Sequence, residues 1–475
     1  MADQAAKSDI QLDPDIFRAY DIRGVVETNL TPNVVYWIGR SFAAEALSQE
    51  QNTAVIGGDG RVLTPSLCHA LAEGLNGGGV SVIDVGTVPP PLLYYSAYCV
   101  DRLGFPDFRP SVGTGIMVTG SHNPPEYNGL KMMIGGTTLA DGAIQRLHQR
   151  IIGKNLTEGA GTYSKTNVLS DYVSAVCNDI RVSRPLKVVV DCGNGVAGLV
   201  APDLFEKLGC DVVPLYEDVD GEFPNHHPDP ADPVNLQDLI SAVDHHDADL
   251  GIAFDGDGDR LGVISNCGTI IWPDQILMLF ARDILSRNPG AEIIFDVKCS
   301  NRLTSLINDL GGKALMWKTG HSHIKAKLKE TGALLGGEFS GHICFVERWF
   351  GFDDALYAAS RLLELLSVET RSVEDIFLEF PTTVSTPEIK IETTEKKKFD
   401  VIDALSRSNH FDRGKIATID GIRVDYEDGW GLIRASNTSP VLTLRFEAQS
   451  TEALMRIKNT FRTAITDIDP NLVMP

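Results

Sequence analysis

The chain has 475 residues, more than a single hydrophobic core can organise, and is therefore expected to form several domains. Its hydrophobic fraction of 43% and charged fraction of 22% are typical of folded globular proteins and exclude a disordered or fibrous chain. The net charge of −22 disfavours nucleic acids and anionic membrane surfaces as partners, because both repel an acidic protein.

The sequence shows no pattern that predicts export or membrane insertion. The N-terminal residues M-A-D-Q-A-A-K-S-D-I lack a basic segment followed by an apolar core, which disfavours a signal peptide. The most apolar tract, residues 80–100, is interrupted by Asp84 and by three consecutive prolines from Pro89. Eight cysteines without C-x-x-C spacing argue against a zinc ribbon or a disulfide framework. We therefore expect a cytoplasmic protein.

The predicted elements repeat one theme along the chain: a β-branched run, a glycine-rich turn and then an amphipathic stretch. Such runs begin at Thr53, Leu186, Asp249 and Ala291. Continuous apolar strands followed by helical patterns are typical of α/β domains whose sheets are covered on both faces. After Phe380 the pattern becomes more strand-rich and indicates α+β structure. We predict α/β domains at 1–165, 166–268 and 269–381, and a smaller α+β domain at 382–475.

The first candidate site is V-T-G-S-H-N-P-P-E-Y-N-G-L-K, residues 118–131, in which Ser121 precedes His122. Adjacent side chains of an extended segment point to opposite faces, so His122 is not automatically the base for Ser121. The motif also lacks the G-x-S-x-G elbow of hydrolases. From this stretch alone, a nucleophilic serine and a simple turn residue are about equally good interpretations.

The second candidate site is D-G-D-G-D-R, residues 255–260, directly after an apolar run. Asp255, Asp257 and Asp259 project to one face, while the intervening glycines let the backbone curve around a small ion. Ligands that are all carboxylates favour Mg²⁺ over zinc. Arg260 and Asn266 stand where an EF-hand requires glycine and glutamate, so that motif is excluded. A metal site is the favoured interpretation, because clustered like charges destabilise one another without a cation.

Two further polar loops each allow two interpretations. The segment G-G-E-F-S-G-H, residues 336–342, either hydrogen-bonds the hydroxyls of a sugar or forms a capped turn. The segment R-A-S-N-T-S-P, residues 434–440, either cradles a phosphate dianion or is a polar surface loop. The short basic run Lys396-Lys397-Lys398 is interpreted as a solvated loop or helix start.

A glycine motif raises a different function. G-N-G-V-A-G, residues 193–198, follows a predicted strand and matches the dinucleotide pattern G-x-G-x-x-G. Asp211, Glu217 and Asp218 lie near the offset expected of a ribose-binding acid. The motif makes an NAD-dependent oxidoreductase an alternative. Such an enzyme has no need of the carboxylate cluster, and this glycine pattern alone is weak evidence.

The motifs T-G-S-H-N-P, D-G-D-G-D-R, G-E-F-S-G-H and R-A-S-N-T-S-P occur in the order found in the α-D-phosphohexomutase family. The early F-R-A-Y-D-I-R-G and the later K-T-G-H-S match as well, so the chain resembles that family over nearly its whole length. The resemblance implies three similar α/β mixed-sheet domains and a smaller C-terminal α+β domain around a central cleft.

The resemblance also implies roles for individual residues. Ser121 is implied to carry a phosphoryl group in the active enzyme. The implied metal ligands are Ser121, Asp255, Asp257 and Asp259. The implied catalytic residues are Ser121, Arg23, Lys131 and His342. The implied substrate-binding residues are Tyr20, Arg260, Lys298, His321, Glu338, Ser340, Arg434, Ser436, Asn437 and Thr438.

The implied activity is the reversible interconversion of hexose 1-phosphates and hexose 6-phosphates of mannose and glucose. It proceeds through a phosphoserine and a hexose 1,6-bisphosphate, with Mg²⁺ as cofactor and glucose 1,6-bisphosphate as activator. The implied partners are small phosphosugars, and a monomer is expected. A phosphoglucosamine mutase and a catalytically silent sugar-phosphate binding protein remain alternatives.

The chain departs from the family pattern at a few positions. Phe339 stands where relatives commonly carry methionine, and a narrower sugar pocket is one expected consequence. The stretch D-F-R-P-S-V before Gly113 resembles a small insertion, to which the sequence assigns no function.

Overall fold

The computed structural model describes residues 12–99, 113–381, 383–408, 410–411, 414–437 and 439–474. The insertion D-F-R-P-S-V and the predicted phosphate ligand Thr438 lie outside these residues. The chain divides into two compact units, Met1–Ile270 with Phe352–Thr370, and Ile271–Gly351 with Arg371–Pro475. Of the four sheets that the described residues form, the first two belong to the first unit, apart from Ile271 at the end of the second sheet, and the other two belong to the second unit.

The helices begin where the sequence supplies caps. Thr31 accepts a hydrogen bond from the Val34 N–H and is followed by proline, which starts the first helix. Ser450 caps the last helix in the same way. The α-helices are α1 Pro32–Ser48, α2 Thr64–Gly77, α3 Pro90–Tyr98, α4 Gly142–Ile152, α5 Leu169–Asp179, α6 Ala201–Lys207, α7 Gln237–His246, α8 Pro273–Arg287, α9 Asn301–Asp309, α10 His321–Thr331, α11 Ala355–Ser367, α12 Val373–Phe377, α13 Glu395–Ser406 and α14 Thr451–Ile468. Across the described residues, no helix combines the length and apolar character that crossing a membrane requires.

Among the described residues, the first sheet has seven strands in the order β1-β5-β4-β2-β3-β7, with β6 paired to β5. Its strands are β1 Ile22–Val25, β2 Thr53–Gly58, β3 Ser81–Thr87, β4 Gly115–Val118, β5 Tyr127–Ile134, β6 Thr137–Thr138 and β7 Tyr163–Lys165. Strand β5 is antiparallel to β1 and β4, whereas β2 is parallel to β3 and β4. Arg23 of β1 lies opposite Gly129, two residues before Lys131 on β5, so Arg23 and Lys131 share one face of the sheet.

The second sheet has five strands in the order β12-β11-β10-β8-β9. Its strands are β8 Lys187–Asp191, β9 Asp211–Leu215, β10 Leu250–Phe254, β11 Leu261–Ser265 and β12 Ile270–Ile271. Strands β10 and β11 form an antiparallel hairpin in which Phe254 lies opposite Leu261, so the D-G-D-G-D-R segment is the connecting loop. Every residue of these two strands is buried, as a continuous apolar run predicts. Helix α11, which falls in the predicted third domain, belongs to the first unit.

The third and fourth sheets belong to the second unit. The third, in the order β14-β13-β15-β16, consists of β13 Glu292–Asp296, β14 Lys313–Trp317, β15 Leu335–Gly337 and β16 Ile343–Phe345. The fourth, in the order β17-β22-β21-β20-β19 with β18 on β22, consists of β17 Val384–Ser385, β18 Ile389–Glu392, β19 Lys415–Ala417, β20 Ile422–Tyr426, β21 Gly429–Ala435 and β22 Val441–Ala448. The described pairings of the fourth sheet are all antiparallel, and α13 and α14 pack against it.

The predicted fold class is confirmed. Three sheets are mixed and flanked by helices, and the last is antiparallel with its helices following separate strands. The predicted domain boundaries stay predictions.

Candidate active site

Ser121 lies in the connection between β4 and β5, residues 119–126, which we call the serine loop. Its backbone is left-handed, with φ of 52°, a conformation that few non-glycine residues adopt. The residue is only 2% exposed. Its Oγ lies 3.2 Å from Asp255 Oδ2. The β4–β5 turn therefore presents the serine hydroxyl to the carboxylate loop of the second sheet.

His122 also lies close to the serine hydroxyl. Its Nδ1 is 3.2 Å from Ser121 Oγ. The alternation of side chains along an extended strand does not apply here, because Ser121 occupies a left-handed turn. Burial and the nearby charge of Arg260 lower the pKa of His122 well below its ordinary value, so the ring is neutral.

Asp255, Asp257 and Asp259 form a buried carboxylate cluster in the β10–β11 loop. One oxygen from each lies within 4.8 Å of the others, and all three residues are fully buried. Asp255 Oδ1 accepts hydrogen bonds of 3.1 Å from the N–H groups of Gly258, Asp259 and Arg260, which fixes the loop. Burial and the charges of Asp257 and Asp259 raise the pKa of Asp255 well above its ordinary value.

The cluster fits a divalent cation. Its donors are all carboxylate oxygens, as a hard cation prefers. Asp257 Oδ1 is buried and has no hydrogen-bond partner among the described residues, which is a costly arrangement unless a cation approaches it. Ser121, the remaining predicted metal ligand, has its Oγ next to the cluster, at Asp255.

Two cationic side chains accompany the carboxylates. Lys131 Nζ lies 2.7 Å from Asp257 Oδ2 and also contacts Asp259. Burial alone would lower the pKa of Lys131, but Asp257 and Asp259 outweigh it and raise that pKa. Arg260 Nε lies 3.7 Å from Asp255 Oδ2. These two cations offset part of the negative charge of the cluster.

Arg23, a further predicted catalytic residue of the first unit, contacts the serine loop. Arg23 pairs with Asp21 at 2.7 Å and donates a hydrogen bond of 2.8 Å to Asn123 Oδ1. Tyr20 is half-buried just before β1. Arg23 is thereby tied to the same loop that carries Ser121.

In the second unit, the turn between β15 and β16 brings Glu338, Ser340 and His342 together. His342 Nδ1 lies 3.0 Å from Glu338 Oε2 and 3.1 Å from Ser340 Oγ. Burial would raise the pKa of Glu338, but the hydrogen bond and charge of His342 lower it to about 2. The ring of His321 stacks on that of His342, with centroids 5.4 Å apart. Glu338 is therefore an ionised acceptor beside a hydroxyl and two imidazoles.

Lys298 is buried near this turn. Its Nζ lies 2.7 Å from Glu388 Oε1 and 4.0 Å from Asp296 Oδ2. Burial would lower the pKa of Lys298, but Glu388 and Asp296 raise it. Asp296 Oδ1 in turn accepts the N–H of Phe339, the residue that follows Glu338.

Phe339 belongs to the packing around this turn. Its ring stacks on Trp272 with centroids 5.6 Å apart, and the Arg445 guanidinium lies 3.6 Å from the ring centroid. Only 5% of the residue is exposed. The ring is thus enclosed by protein side chains, which does not support the expected narrowing of a sugar pocket.

The fourth predicted group, residues 434–440, connects β21 to β22 and is called here the 434–440 loop. Arg434 Nε lies 3.0 Å from Asp420 Oδ2. Ser436 Oγ accepts a hydrogen bond of 3.3 Å from the Ser439 N–H, and Asn437 is half-buried. Thr438 lies outside the described residues.

The burial of Lys398 contradicts the interpretation of the basic run, residues 396–398, as solvated. The run does start a helix, because Thr394 caps α13. Lys398, however, is only 1% exposed. Its Nζ donates to the carbonyl oxygens of Ser436 at 2.6 Å and Ser439 at 3.1 Å. This contact could not be predicted from the sequence, because the run has the composition of a solvated surface.

The dinucleotide-like glycines have structural explanations. A Cβ on Gly195 would lie 2.6 Å from the carbonyl oxygen of Gly256, and one on Gly198 would lie 2.0 Å from that of Glu217. Protein backbone therefore approaches these glycines where a dinucleotide-binding protein would receive pyrophosphate. Glu217, considered above as a ribose-binding acid, supplies one of those backbone contacts.

The chain is similar to known proteins over nearly its whole length. Family models described as phosphoglucomutase/phosphomannomutase alpha/beta/alpha domains I, II and III match residues 14–158, 170–268 and 272–384, and the C-terminal domain model matches 388–464. A phosphomannomutase/phosphoglucomutase of Pseudomonas aeruginosa is 54% identical over 464 residues, covering 98% of each chain. A phosphoglucomutase of Neisseria meningitidis is 48% identical over 466 residues, covering 97% of this chain and 98% of that one.

A solved structure agrees. The crystal structure of a phosphoglucomutase/phosphomannomutase family protein from Burkholderia thailandensis is 49% identical, with a TM-score of 0.92. The match covers 98% of this chain and 100% of the other. With four consecutive domain models matched and relatives similar over their whole length, the chain belongs to the phosphoglucomutase/phosphomannomutase family of α-D-phosphohexomutases.

Proposed function

We propose that the protein reversibly interconverts the 1-phosphates and 6-phosphates of glucose and mannose. Membership of the family and the names of its relatives support this activity. The observation that carries the proposal is the 3.2 Å approach of Ser121 Oγ to the buried carboxylate cluster, beside the cation of Lys131. A serine that stores a phosphoryl group needs charge neutralisation and an aligned oxygen, rather than a protease-type base.

Asp255, Asp257 and Asp259 would hold Mg²⁺ together with an oxygen of phosphorylated Ser121. When bound, the ion would neutralise charge on the phosphoryl oxygens. The loop hydrogen bonds to Asp255 Oδ1 support this role, because they preorganise the ligands without using Asp255 Oδ2.

The proposed cycle begins when phospho-Ser121 gives its phosphoryl group to the 6-hydroxyl of a hexose 1-phosphate. The bond from phosphorus to Ser121 Oγ breaks, a bond to O6 forms, O6 loses its proton and the serine oxygen gains one. The 1,6-bisphosphate then turns end for end. Its 1-phosphoryl group moves to Ser121 Oγ, which releases its proton while O1 takes one up. The product is a hexose 6-phosphate, and phosphoserine is restored.

Arg23, Lys131 and His342 are proposed to assist these proton and phosphoryl transfers. Lys131 is fixed beside Asp257 and carries positive charge, which suits it to stabilise negative charge that develops on phosphoryl oxygens. His342 is paired with the ionised Glu338, and this pairing orients its ring.

The proposed substrate contacts are the residues that the family resemblance implies to bind substrate. Glu338, ionised at all ordinary pH values, would accept hydrogen bonds from sugar hydroxyls together with Ser340. These contacts go to C3 and C4, which glucose and mannose share, so a site that ignores C2 accepts both. The proposed phosphate ligands are Arg434, Ser436, Asn437 and Thr438. The other proposed substrate contacts are Tyr20, Arg260, Lys298 and His321.

The test is a mutase assay on glucose 1-phosphate and mannose 1-phosphate with Mg²⁺ and catalytic glucose 1,6-bisphosphate. Intact mass spectrometry and peptide mapping should place a phosphoryl group on Ser121. Ser121→Ala should lose nearly all turnover, because the phosphoryl carrier is removed. Ser66→Ala, at an exposed serine of α2, is the matched control and should retain full activity.

Other results would redirect the assignment. Full activity in Ser121→Ala would contradict the phosphoserine mechanism. Faster turnover of glucosamine 1-phosphate would identify the sugar as glucosamine. Binding of phosphosugars without Mg²⁺-dependent turnover would indicate a silent binding protein, and NAD(H) binding would revive the oxidoreductase alternative.

A further inference from the structure

Arg61, directly after β2, contacts the serine loop through three backbone carbonyls. Its Nη2 donates to Ser121 O at 2.8 Å and to Asn123 O at 2.5 Å. Its Nη1 donates to Pro124 O at 2.5 Å. The guanidinium therefore lies inside the turn of the loop and binds carbonyls from both sides of it.

Asp59 holds the same loop from its N–H side. Asp59 Oδ2 accepts a hydrogen bond of 2.9 Å from the Gly120 N–H and lies 3.1 Å from Arg61 Nε. Asp59 Oδ1 accepts the Arg61 N–H at 3.1 Å and the Thr64 hydroxyl at 2.6 Å. The ion pair is nearly inaccessible to water, with Asp59 4% and Arg61 3% exposed.

Thr119 links this ion pair to the carboxylate cluster. Its Oγ1 lies 2.9 Å from Asp59 Oδ2 and 3.0 Å from Asp257 Oδ2, and it accepts the Ser121 N–H at 2.8 Å. Both backbone polar groups of Ser121 are consequently held, the N–H by Thr119 and the carbonyl by Arg61. Such over-determination is what keeps a residue in an uncommon left-handed conformation.

The space around the guanidinium is closely filled. A Cβ on Gly120 would lie 2.3 Å from Arg61 Nε and 2.4 Å from Cζ, so the loop requires glycine there. The outer face of the guanidinium is covered by Phe223, whose ring centroid is 5.2 Å from Cζ. A planar fork with donors in fixed directions can serve three carbonyls and a carboxylate at once, which the single ammonium of lysine cannot.

We propose that Arg61 is a positioning residue for phosphoryl transfer, which fixes the Ser121 backbone so that Oγ faces Asp255. This inference rests on the proposed function. The guanidinium touches no reacting atom; it acts through the carbonyls of the serine loop. Loss of the contact lets the serine oxygen leave the alignment that in-line transfer requires, and displacement by about 1 Å costs about 10²-fold in rate.

The experiment compares Arg61→Lys with Arg361→Lys in the full-length protein. Arg361 is a matched control, because it is a fully buried arginine of the same unit that lies 3.6 Å from Glu364 in α11. We would measure kcat and KM with glucose 1-phosphate, single-turnover transfer from the phosphorylated enzyme, and thermal unfolding. Arg61→Lys should lower kcat and the single-turnover rate by about 10²-fold with KM changed less than about threefold. Arg361→Lys should lower the melting temperature with kcat changed less than about threefold.

The outcomes separate this inference from the proposed function. Wild-type protein without phosphoserine or mutase turnover would overturn both. An active wild type with kcat of folded Arg61→Lys within about threefold of it, or with the loss confined to KM, would overturn the role of Arg61 alone. Should Arg61→Lys fail to fold, Gly120→Ala replaces it, because the added methyl would lie 2.3 Å from Arg61 Nε and 2.7 Å from the Tyr127 carbonyl oxygen, so the contact between the guanidinium and the loop must change. The same kinetic result is then expected, and an unchanged kcat overturns the proposal.

Discussion

The serine loop and the 434–440 loop both turn carbonyl oxygens towards a buried side-chain cation, but the two cations differ. In the serine loop, the Arg61 fork reaches three carbonyls while Asp59 accepts the Gly120 N–H. In the 434–440 loop, the Lys398 ammonium reaches two carbonyls and pairs with Glu395 at 2.7 Å. The first arrangement fixes directions at several atoms, whereas the second supplies one compact charge.

This difference corresponds to what each loop is proposed to do. Ser121 must present one oxygen in one direction, and its left-handed backbone is held at both its N–H and its carbonyl. A phosphate-binding loop needs only to present donors to a dianion. Because carbonyl and N–H point in opposite directions in a trans peptide, the Ser436 carbonyl that binds Lys398 directs the Asn437 N–H away from that ammonium. Lys398 thereby orients a donor that the proposed phosphate could use.

The largest expected effect is on the serine-loop side, at Lys131. Lys131→Met removes the cation beside Asp257 and Asp259 and leaves buried carboxylates without that partner. We expect the free energy of unfolding in EDTA to fall by about 3–5 kcal/mol. Added Mg²⁺ should restore part of this loss, because a divalent ion replaces the missing positive charge. Urea unfolding in EDTA measures the loss of stability, and urea unfolding with added Mg²⁺ measures how much of it is restored.

The control for that experiment is Lys396→Met, at an exposed lysine of α13, which should change neither value. Equal stability of Lys131→Met and wild type in EDTA would show that Lys131 does not neutralise the cluster.

A smaller effect is expected at the cation of the other loop. Lys398→Met removes two hydrogen bonds from a charged donor to the 434–440 loop. The conformation of that loop should lose about 1.5–3 kcal/mol of stabilisation. We expect KM for glucose 1-phosphate to rise by about 10–100-fold, with a smaller change in the single-turnover rate from phosphorylated Ser121. The same steady-state and single-turnover assays separate the two quantities.

Lys396→Met again serves as control, two positions earlier in the same helix. A Lys398→Met enzyme with wild-type KM and a slow phosphoryl transfer would reverse the comparison, because Lys398 would then act like Arg61.

A weaker, pH-dependent effect on the free energy of unfolding is expected at His226, three residues after Phe223 in the chain. Its Nε2 lies 3.1 Å from Asp191 Oδ2. Burial alone would lower the pKa of His226, but the hydrogen bond and charge of Asp191 raise it. The stabilisation of the folded state by the His226–Asp191 pair is therefore fully present below the pKa of about 6.5 that His226 has in the unfolded chain. It is lost as the pH rises through the higher pKa of His226 in the folded protein.

The corresponding variant is His226→Gln. It should lower the free energy of unfolding by about 1 kcal/mol at acidic pH, and the difference should shrink above neutrality. Urea unfolding at several pH values tests the sign, and a difference that grows with pH would contradict it.

Much of this architecture could be predicted from local sequence. The apolar run before D-G-D-G-D-R predicted a buried strand, and β10 is buried throughout. Alternating carboxylates and glycines predicted that Asp255, Asp257 and Asp259 converge, and they do. These features depend on residues that are near one another in the chain, so spacing alone describes them.

Contacts between distant residues were not predictable in this way. Arg61 and Ser121 are separated by 60 positions, and the run that begins at Thr53 predicted only a strand followed by a glycine-rich turn. The approach of His122 to Ser121 depends on a positive φ that the serine itself does not signal. Lys398 is buried although its neighbours in the basic run are not, because the carbonyls that bind it lie about 40 positions later.

The smallest effect is expected at Phe339, beside the proposed sugar contacts. The ring is enclosed by Trp272 and Arg445, so its identity should influence packing more than the sugar. Phe339→Met should change the ratio of kcat/KM for glucose 1-phosphate and mannose 1-phosphate by less than about twofold, because methionine fills a similar volume at the same packed position. Parallel assays of both sugars measure the ratio. A shift of about tenfold or more would show that the Glu338 turn moves with this side chain, and that its packing sets sugar preference as Arg61 is proposed to set serine alignment.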